Sequence, residues 1–283
     1  MKLLTAASLL TSLLTQTVTA ADQTSFPWPQ NQQAAIVLTY DDTLDSHLDI
    51  ALPQLNQAGL KATFYISGAR GELMQRMDEW RKAADQGHEL GNHTLYHPCK
   101  ASKPNREWVQ PYNDLDQYSL KQFEEEIKVT NVLLHAIDGK SKRTFAYTCG
   151  ETELQNNQSM IPALENWVTA ARAGSPPLPF IPPAAPKDLF NGLSDPRTIN
   201  RYKIKSMDAS GQTAEQLISA AKSARKNNQI MTFLFHGITD QGEYLTVSPK
   251  AHQALIDHLK KNQDTYWVAP MQEVVDHMNK IKQ

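Results

Sequence analysis

Ala34-Ala35-Ile36-Val37-Leu38-Thr39-Tyr40-Asp41-Asp42 is the stretch from which the rest of the chain can be read. Five apolar residues, β-branched in part and followed at once by polar ones, read as a short buried strand. Two adjacent carboxylates close it. Side chains alternate across a strand, so Asp41 and Asp42 cannot do the same job within one. At a strand's C-terminal end the chain begins to turn, and both can reach one cleft. Carboxylates crowded into one site need something positive to stay ionised, and a metal ion is the usual device. The competing reading is an ordinary strand-end turn, where aspartate is common.

Working outward, the pattern alternates strand and helix. Residues 47–58 carry apolar side chains at Leu48, Ile50, Leu52 and Leu55, and Gly59 follows as a helix C-cap. Residues 61–66 read as a second strand, 72–86 as a second helix ending at Gly87, and 88–93 as a third strand. This rhythm predicts βαβ units with parallel strands. A polar, Pro-containing loop at 99–118 precedes a helix at 120–137, then strands at 143–147 and 167–172. Residues 175–186 hold six prolines and read as an excursion loop, a candidate wall of the cleft. Helices at 214–226, 249–261 and 271–280 alternate with strands at 230–235 and 266–268; there is no internal repeat and no second domain.

The 283-residue chain begins with a short positive start, an apolar run from Leu3 to Leu14 and small residues at Val18-Thr19-Ala20. That describes a secretory signal peptide over 1–20, with a mature chain from about Ala21 exported to the periplasm or the exterior. No later run is long enough to span a bilayer. Losing Lys2 moves the formal charge from −2 to −3, which excludes an electrostatic footprint for nucleic acid or an anionic membrane. Residues 21–283 fit one domain, and an α/β barrel uses this length as a single unit. Cys99 and Cys149 are the two cysteines, and export favours a disulfide between them over a thiol site.

Of nine histidines, His93 and His97 stand four apart, followed at once by Pro98. The glutamate of the zinc-protease helix is missing between them, and the proline stops any helix. With Asp42 they make a three-ligand set that leaves positions open for water, as a catalytic zinc needs; structural histidines at a turn remain the alternative. His236 follows the most apolar strand and precedes Gly237, at the strand end where parallel α/β folds place their chemistry; a turn-capping histidine is the alternative. His135, His252, His258 and His277 read as helix residues among charges, His47 as a helix opener and His88 as support for the third strand.

Thr39-Tyr40-Asp41-Asp42, Leu60-Lys61-Ala62-Thr63-Phe64-Tyr65-Ile66 and Gly87-His88-Glu89-Leu90-Gly91-Asn92-His93-Thr94-Leu95-Tyr96-His97-Pro98 together resemble the polysaccharide deacetylases. That is carbohydrate esterase family 4, with the NodB homology domain; Phe233-Leu234-Phe235-His236 resembles its last motif. The resemblance implies a single deformed (β/α) barrel and a divalent metal, usually zinc, held by Asp42, His93 and His97. It implies Asp41 as general base, His236 as general acid and an oxyanion donor in the Cys149 backbone. The metal would polarise an acetyl carbonyl and acidify a water that Asp41 deprotonates. The partner implied is an acetylated oligo- or polysaccharide, carrying N-acetyl or O-acetyl groups.

Two departures from the family pattern stand out. The third motif, commonly Arg-x-Pro-Tyr-Gly, aligns with Ala146-Tyr147-Thr148-Cys149-Gly150, so the arginine that partners the base is an alanine here. Arg172, at the next strand's end, is the candidate replacement. The fourth motif is not recognisable, and Asp208 is the nearest candidate to support His236; its loss tilts the reading slightly towards ester substrates. A bridge between Cys99 and Cys149 would brace two site loops. The rivals are a glycan-binding member that has lost catalysis, and a hydrolase of another C–N bond. Trp80, Trp108 and Trp167 could stack on sugars, with core packing expected for at least two, and Tyr244 could line the cleft.

Overall fold

The computed structural model describes residues 25–174, 191–240 and 245–282. In chain order it contains β1 (Ala34–Asp41), a π-helical turn (His47–Ala51) running into α1 (Leu52–Ala58), β2 (Thr63–Ile66), α2 (Gly71–Gln75), α3 (Met77–Asp85) and β3 (Glu89–Asn92). There follow α4 (Leu120–Asp138), β4 (Thr144–Ala146), α5 (Ile161–Leu164), β5 (Ala170–Arg172), β6 (Leu193–Ser194) and β7 (Met207–Asp208). The chain continues with α6 (Ala214–Asn227), β8 (Ile230–Phe235), β9 (Gly237–Ile238), β10 (Thr246–Val247), α7 (Pro249–Lys261), β11 (Tyr266–Val268) and α8 (Met271–Ile281). The signal peptide expected at 1–20, the proline-rich loop at 175–186 and Tyr244 lie outside the described residues.

β1 is the centre. One edge pairs with β8, from Ala35 opposite Ile230 to Tyr40 opposite Phe235, and the other with β11 and then β2, all in parallel. Helix and core residues cover both its faces: Ile36, Leu38 and Tyr40 pack towards α1, α6 and α7, and Ala35 and Val37 towards α8. A strand enclosed in this way has no solvent side, which is why its sequence runs apolar without alternation and all eight residues are buried.

The sheet order is β5-β4-β3-β2-β1-β8-β6, parallel except for β6 on β8. Residues 201–209 link its two sides. Ile204 donates to the Ala171 carbonyl of β5 at 3.0 Å and accepts the amide of Ala173, just past that strand, at 2.8 Å, while Met207 and Asp208 pair with Phe233 and Leu234 of β8. A curled parallel sheet joined by so short a bridge is a deformed (β/α) barrel, and the strands' C-terminal ends open on one rim.

The helix expected at 72–86 is two helices, broken at Arg76 (φ −122°, ψ 24°). There the guanidinium gathers Asp45, Asp49 and Glu79, a tertiary cluster that local periodicity does not register. The short α5, β6 and β7 were not expected from the sequence, because two- to four-residue elements carry too little pattern. Core packing was expected for at least two of Trp80, Trp108 and Trp167, but of these only Trp80 is buried; Trp108 and Trp167 are exposed, Trp167 donating its indole N–H to Glu124.

Three histidines given unremarkable roles by the sequence are core residues. The Tyr40 hydroxyl donates to Nε2 of His252 at 2.7 Å, and Nδ1 of His252 donates to Gln54. Ala62 N–H donates to Nδ1 of His88, whose Nε2 donates to Asn56 at 3.0 Å. Both rings are satisfied as neutral imidazoles, with no place for a second proton. Burial pushes His252 and His88 down to about 3, and His47 down to about 4. Folded values below the unfolded value of about 6.5 mean that their contribution to stability is complete above that pH and is lost as the pH falls towards the folded values. At pH 5, unfolding should take up about three protons from this source, so that stability falls by about 4 kcal/mol per pH unit. Urea titrations between pH 5 and 6 measure the slope, and a flat profile would contradict the burial argument.

Candidate active site

β1 does not run out straight. Asp41 is its last residue, and Asp42 and Thr43 follow in the left-handed region, with φ of 81° and 61°. This turn removes the alternation that would have parted the carboxylates, so both face one cleft. Asp41 is buried, whereas the Asp42 side chain keeps 17% of its surface at the cleft. Thr43 fixes the turn by accepting the Ser67 amide on its hydroxyl at 2.9 Å.

The second component is the exit from β3. Asn92 Oδ1 accepts the Thr94 amide at 2.8 Å, and Thr94 Oγ1 accepts the His97 amide at 3.0 Å. Thr94 and His97 are themselves left-handed, at φ 65° and 51°, so a tight loop rather than a helix brings the two imidazoles together. Their ring centroids lie 5.0 Å apart. His97 Nε2 is 3.0 Å, and His93 Nε2 3.4 Å, from Asp42 Oδ1.

Glu126 on α4 holds this loop from behind. Its Oε2 accepts the amides of Leu95 and Tyr96, each at 3.1 Å, and its Oε1 accepts the Tyr118 hydroxyl. Burial raises its pKa, against the pull of those three donors. The sequence reading passed over Glu126, although a glutamate among the buried positions Phe123, Ile127, Thr130 and Leu134 of one helix was a usable signal.

The donor set suits a divalent cation. Asp42, His93 and His97 each offer one ligand atom, all within 4.8 Å of one another. His93 Nδ1 donates to the Ala146 carbonyl at 2.9 Å, which leaves the Nε2 lone pair on the Asp42 side. Asp42 Oδ1 is buried and has no hydrogen-bond partner among the described residues. Two imidazoles and a carboxylate at a cleft edge leave coordination positions open. The fields agree: burial works to raise the Asp42 pKa, but His97 and His93 hold it well below the usual carboxylate range. For His93, burial favours the neutral ring, but Asp41 and Asp42 raise its pKa. His97, Cys99 and Cys149 also cluster, but the sulfurs are joined in a disulfide and offer no thiolate.

Asp41 has a different partner. Arg172, wholly buried on β5, donates from Nη2 to Asp41 Oδ2 and from Nη1 to Ser206 Oγ at 3.1 Å. Its guanidinium carbon lies 5.2 Å from the centre of the Tyr65 ring. That ring crosses Gly91, where a Cβ would fall 2.4 Å from a ring carbon, so only glycine lets it lie there. Arg172 is also the register partner of Ala146 across β4 and β5. Asp41 Oδ1 is buried with no partner among the described residues.

His236 stands past the end of β8, with its carbonyl accepting from Nε2 of the buried His47 at 2.9 Å. His236 Nδ1 has no hydrogen-bond partner among the described residues. Asp208 does not supply one: its Oδ1 turns back to accept the amide and the hydroxyl of Ser210, at 2.9 and 2.6 Å. The expected Asp208–His236 hydrogen bond is therefore absent, because a local turn uses the carboxylate. Cys149 is left-handed (φ 54°) on the turn after β4 and is bonded to Cys99, with a Cα separation of 5.7 Å.

Residues 29–166 match the polysaccharide deacetylase family. A gellan lyase of a Bacillus species is 28% identical over 123 residues, 44% of this chain and 4% of that protein. A peptidoglycan-N-acetylglucosamine deacetylase of Bacillus cereus is 36% identical over 75 residues, 26% of each chain. The chain thus spans only a small part of the curated relatives it matches. Among solved structures, the carbohydrate esterase domain of a multidomain xylanase from the hindgut metagenome of Trinervitermes trinervoides aligns with a TM-score of 0.52 and 19% identity, covering 88% of this chain and 92% of that one. A peptidoglycan deacetylase of Bacillus subtilis aligns at 0.51 and 18%, covering 88% and 93%. A family 4 pseudoenzyme of Bacillus anthracis aligns at 0.54 and 14%, covering 87% and 66%. These likenesses are of fold.

If Asp42, His93 and His97 take up zinc and Glu126 fixes the loop between the two imidazoles, Glu126→Ala should weaken that uptake by about 10- to 100-fold. Titration calorimetry on the metal-stripped protein measures it. Unchanged zinc affinity would show that the loop keeps its shape without the glutamate.

Proposed function

The chain belongs to the polysaccharide deacetylase family, and on that premise we propose that it is an exported, metal-dependent hydrolase that removes acetyl groups from a carbohydrate. One observation carries the reading. The Asp42–His93–His97 donor set and the arginine-paired Asp41 share one cleft, with His93 Nε2 3.4 Å from one carboxylate and 3.7 Å from the other.

Asp42, His93 and His97 would hold the ion, zinc being the usual choice for this donor set. When bound, it supplies Lewis acidity at the acetyl carbonyl and lowers the pKa of water beside it. Asp41 acts as the base. Arg172 takes Oδ2, while Oδ1 remains to accept a proton from the attacking water. The water oxygen adds to the carbonyl carbon, and the Cys149 N–H stabilises the oxyanion from its disulfide-tied turn. His236 then gives a proton to the leaving oxygen or nitrogen as its bond to the acyl carbon breaks and acetate departs.

The arginine that pairs with Asp41 stands on β5 and not on β4. With alanine at 146, its register partner Arg172 brings a guanidinium to the same carboxylate from β5. No carboxylate hydrogen-bonds His236 among the described residues, which favours O-acetyl esters, whose leaving group depends less on the acid.

Acetate release from acetylated xylan, N-acetyl chito-oligosaccharides and peptidoglycan, with zinc content measured alongside, tests the proposal. Wild type should release acetate from at least one; Asp41→Asn and His236→Ala should each lower kcat by about 10²- to 10⁴-fold. Arg172→Lys, which keeps the charge but loses the planar fork, should retain part of the rate. A zinc-loaded protein inert on the whole panel would sink the hydrolase and favour a glycan-binding protein.

A further inference from the structure

The His236 ring offers an Nδ1 that no described residue meets, yet the main chain around it is held by three hydrogen bonds. The His236 carbonyl accepts from His47 Nε2 at 2.9 Å. The Gly237 amide, in the same peptide plane, donates to the Leu245 carbonyl at 3.2 Å. In the next plane the Ile238 amide donates to Ser46 Oγ at 3.1 Å. On the N-terminal side, Phe235 is fixed in β8 opposite Tyr40. Two of the three hydrogen bonds therefore come from one dipeptide, Ser46-His47.

His47 differs from the other two core histidines. His252 and His88 each use both ring nitrogens, whereas His47 uses Nε2 alone and its buried Nδ1 has no partner among the described residues. A carbonyl can only accept, so Nε2 carries the proton of the neutral ring and Nδ1 keeps a bare lone pair. The rings of Tyr40, Phe64 and Trp80 lie around it, with centroids at 5.5, 6.0 and 6.5 Å. A phenylalanine would fill this aromatic box without leaving a lone pair unsatisfied, so packing does not account for an imidazole there. The polar work left to the ring is its hold on the His236 carbonyl.

The same short segment carries the two carboxylates. Asp41, Asp42, Ser46 and His47 fall within seven residues. Thr43 ties that segment to Ser67, just past β2, and Ser46-His47 tie it to residues 236–238, just past β8. His47 also opens the π-helical turn His47–Ala51, a rare geometry that is frequent at functional sites. With Asp208 turned to Ser210, the main chain is where the described residues take hold of His236.

We propose that Ser46 and His47 are positioning residues for His236: they fix the two peptide planes that follow it, so the turn that presents Asp41 and Asp42 also sets where the acid stands. The proposal rests on the reading of His236 as proton donor to the leaving group.

Leaving-group dependence and a double-mutant cycle on the zinc-loaded full chain test it. 4-Nitrophenolate departs from its acetyl ester without a proton, whereas a sugar oxygen or nitrogen needs one. The glycan is acetylated xylan or N-acetyl chito-oligosaccharide, whichever wild type turns over faster. His47→Phe keeps the ring packing and loses the donor. It should lower kcat on the glycan about 5- to 30-fold with KM unchanged, and kcat on 4-nitrophenyl acetate by no more than about twofold. His47→Gln, which returns an N–H at similar reach, should recover part of the loss. Ser46→Ala, at a half-buried position, should act in the same direction by about two- to fivefold, and decides the matter if His47→Phe does not fold. In a His236→Ala background neither substitution should lower the glycan rate further. Equal losses on the two substrates, or losses that add to that of His236→Ala, would overturn the positioning role and leave the deacetylase reading standing. His236→Ala as active as wild type on the glycan, or a wild type inert on both glycans, would remove the acid itself and the proposal with it.

Discussion

Two successive carboxylates at the end of a buried strand must each find positive charge, and the architecture answers that requirement from two directions. Asp41 is met by the Arg172 guanidinium from β5, and Asp42 faces the imidazoles that leave β3, a donor set able to share a cation with it. Neither partner is local in sequence. An ionised carboxylate left alone in such a place would protonate or destabilise the fold by several kcal/mol. The order β5-β4-β3-β2-β1 keeps both sources on one side of β1, with His236 arriving from β8 on the other.

Holding these groups requires backbone that most residues avoid. Asp42, Thr43, Thr94, His97 and Cys149 all have positive φ. Each such residue costs on the order of 1–3 kcal/mol and persists only where its surroundings determine it. Here they do. Thr43 is tied to Ser67, Thr94 to Asn92, the loop between the imidazoles to Glu126, and Cys149 to Cys99. The local strain and the non-local restraints are two aspects of one device: donors fixed before any ligand arrives.

The opposite end of the barrel is polar as well, yet closed. Glu89 accepts Thr63 Oγ1 at 2.8 Å, the Gln272 amide at 2.9 Å and the Thr144 hydroxyl, so the start of α8 seals the floor. A carboxylate at a helix N-terminus is well placed electrostatically. Both Glu89 oxygens are used, whereas at the rim Asp41 Oδ1, Asp42 Oδ1 and His236 Nδ1 have no hydrogen-bond partner among the described residues. Stability is invested in one end and chemistry is left available at the other.

The alternation of apolar strands and amphipathic helices was legible because each buried strand and each helix face repeats a short pattern; residues 230–235, 249–261 and 266–268 fall where that pattern put them. The break at Arg76 and the burial of His252 were not legible, since both depend on partners far along the chain. Sequence by itself determined the parallel α/β architecture, the pairing of an Asp-Asp strand end with a His-x-x-x-His exit, and the gap left by alanine at 146. The sequence offered Arg172 only as a candidate partner for Asp41; tertiary structure brought the two together, turned Asp208 to Ser210 and away from His236, and set Glu126 against the donor loop. Periodicity reports which way a side chain faces relative to its own element. Which charge it meets there is set by how distant elements are registered, and a linear pattern does not carry that.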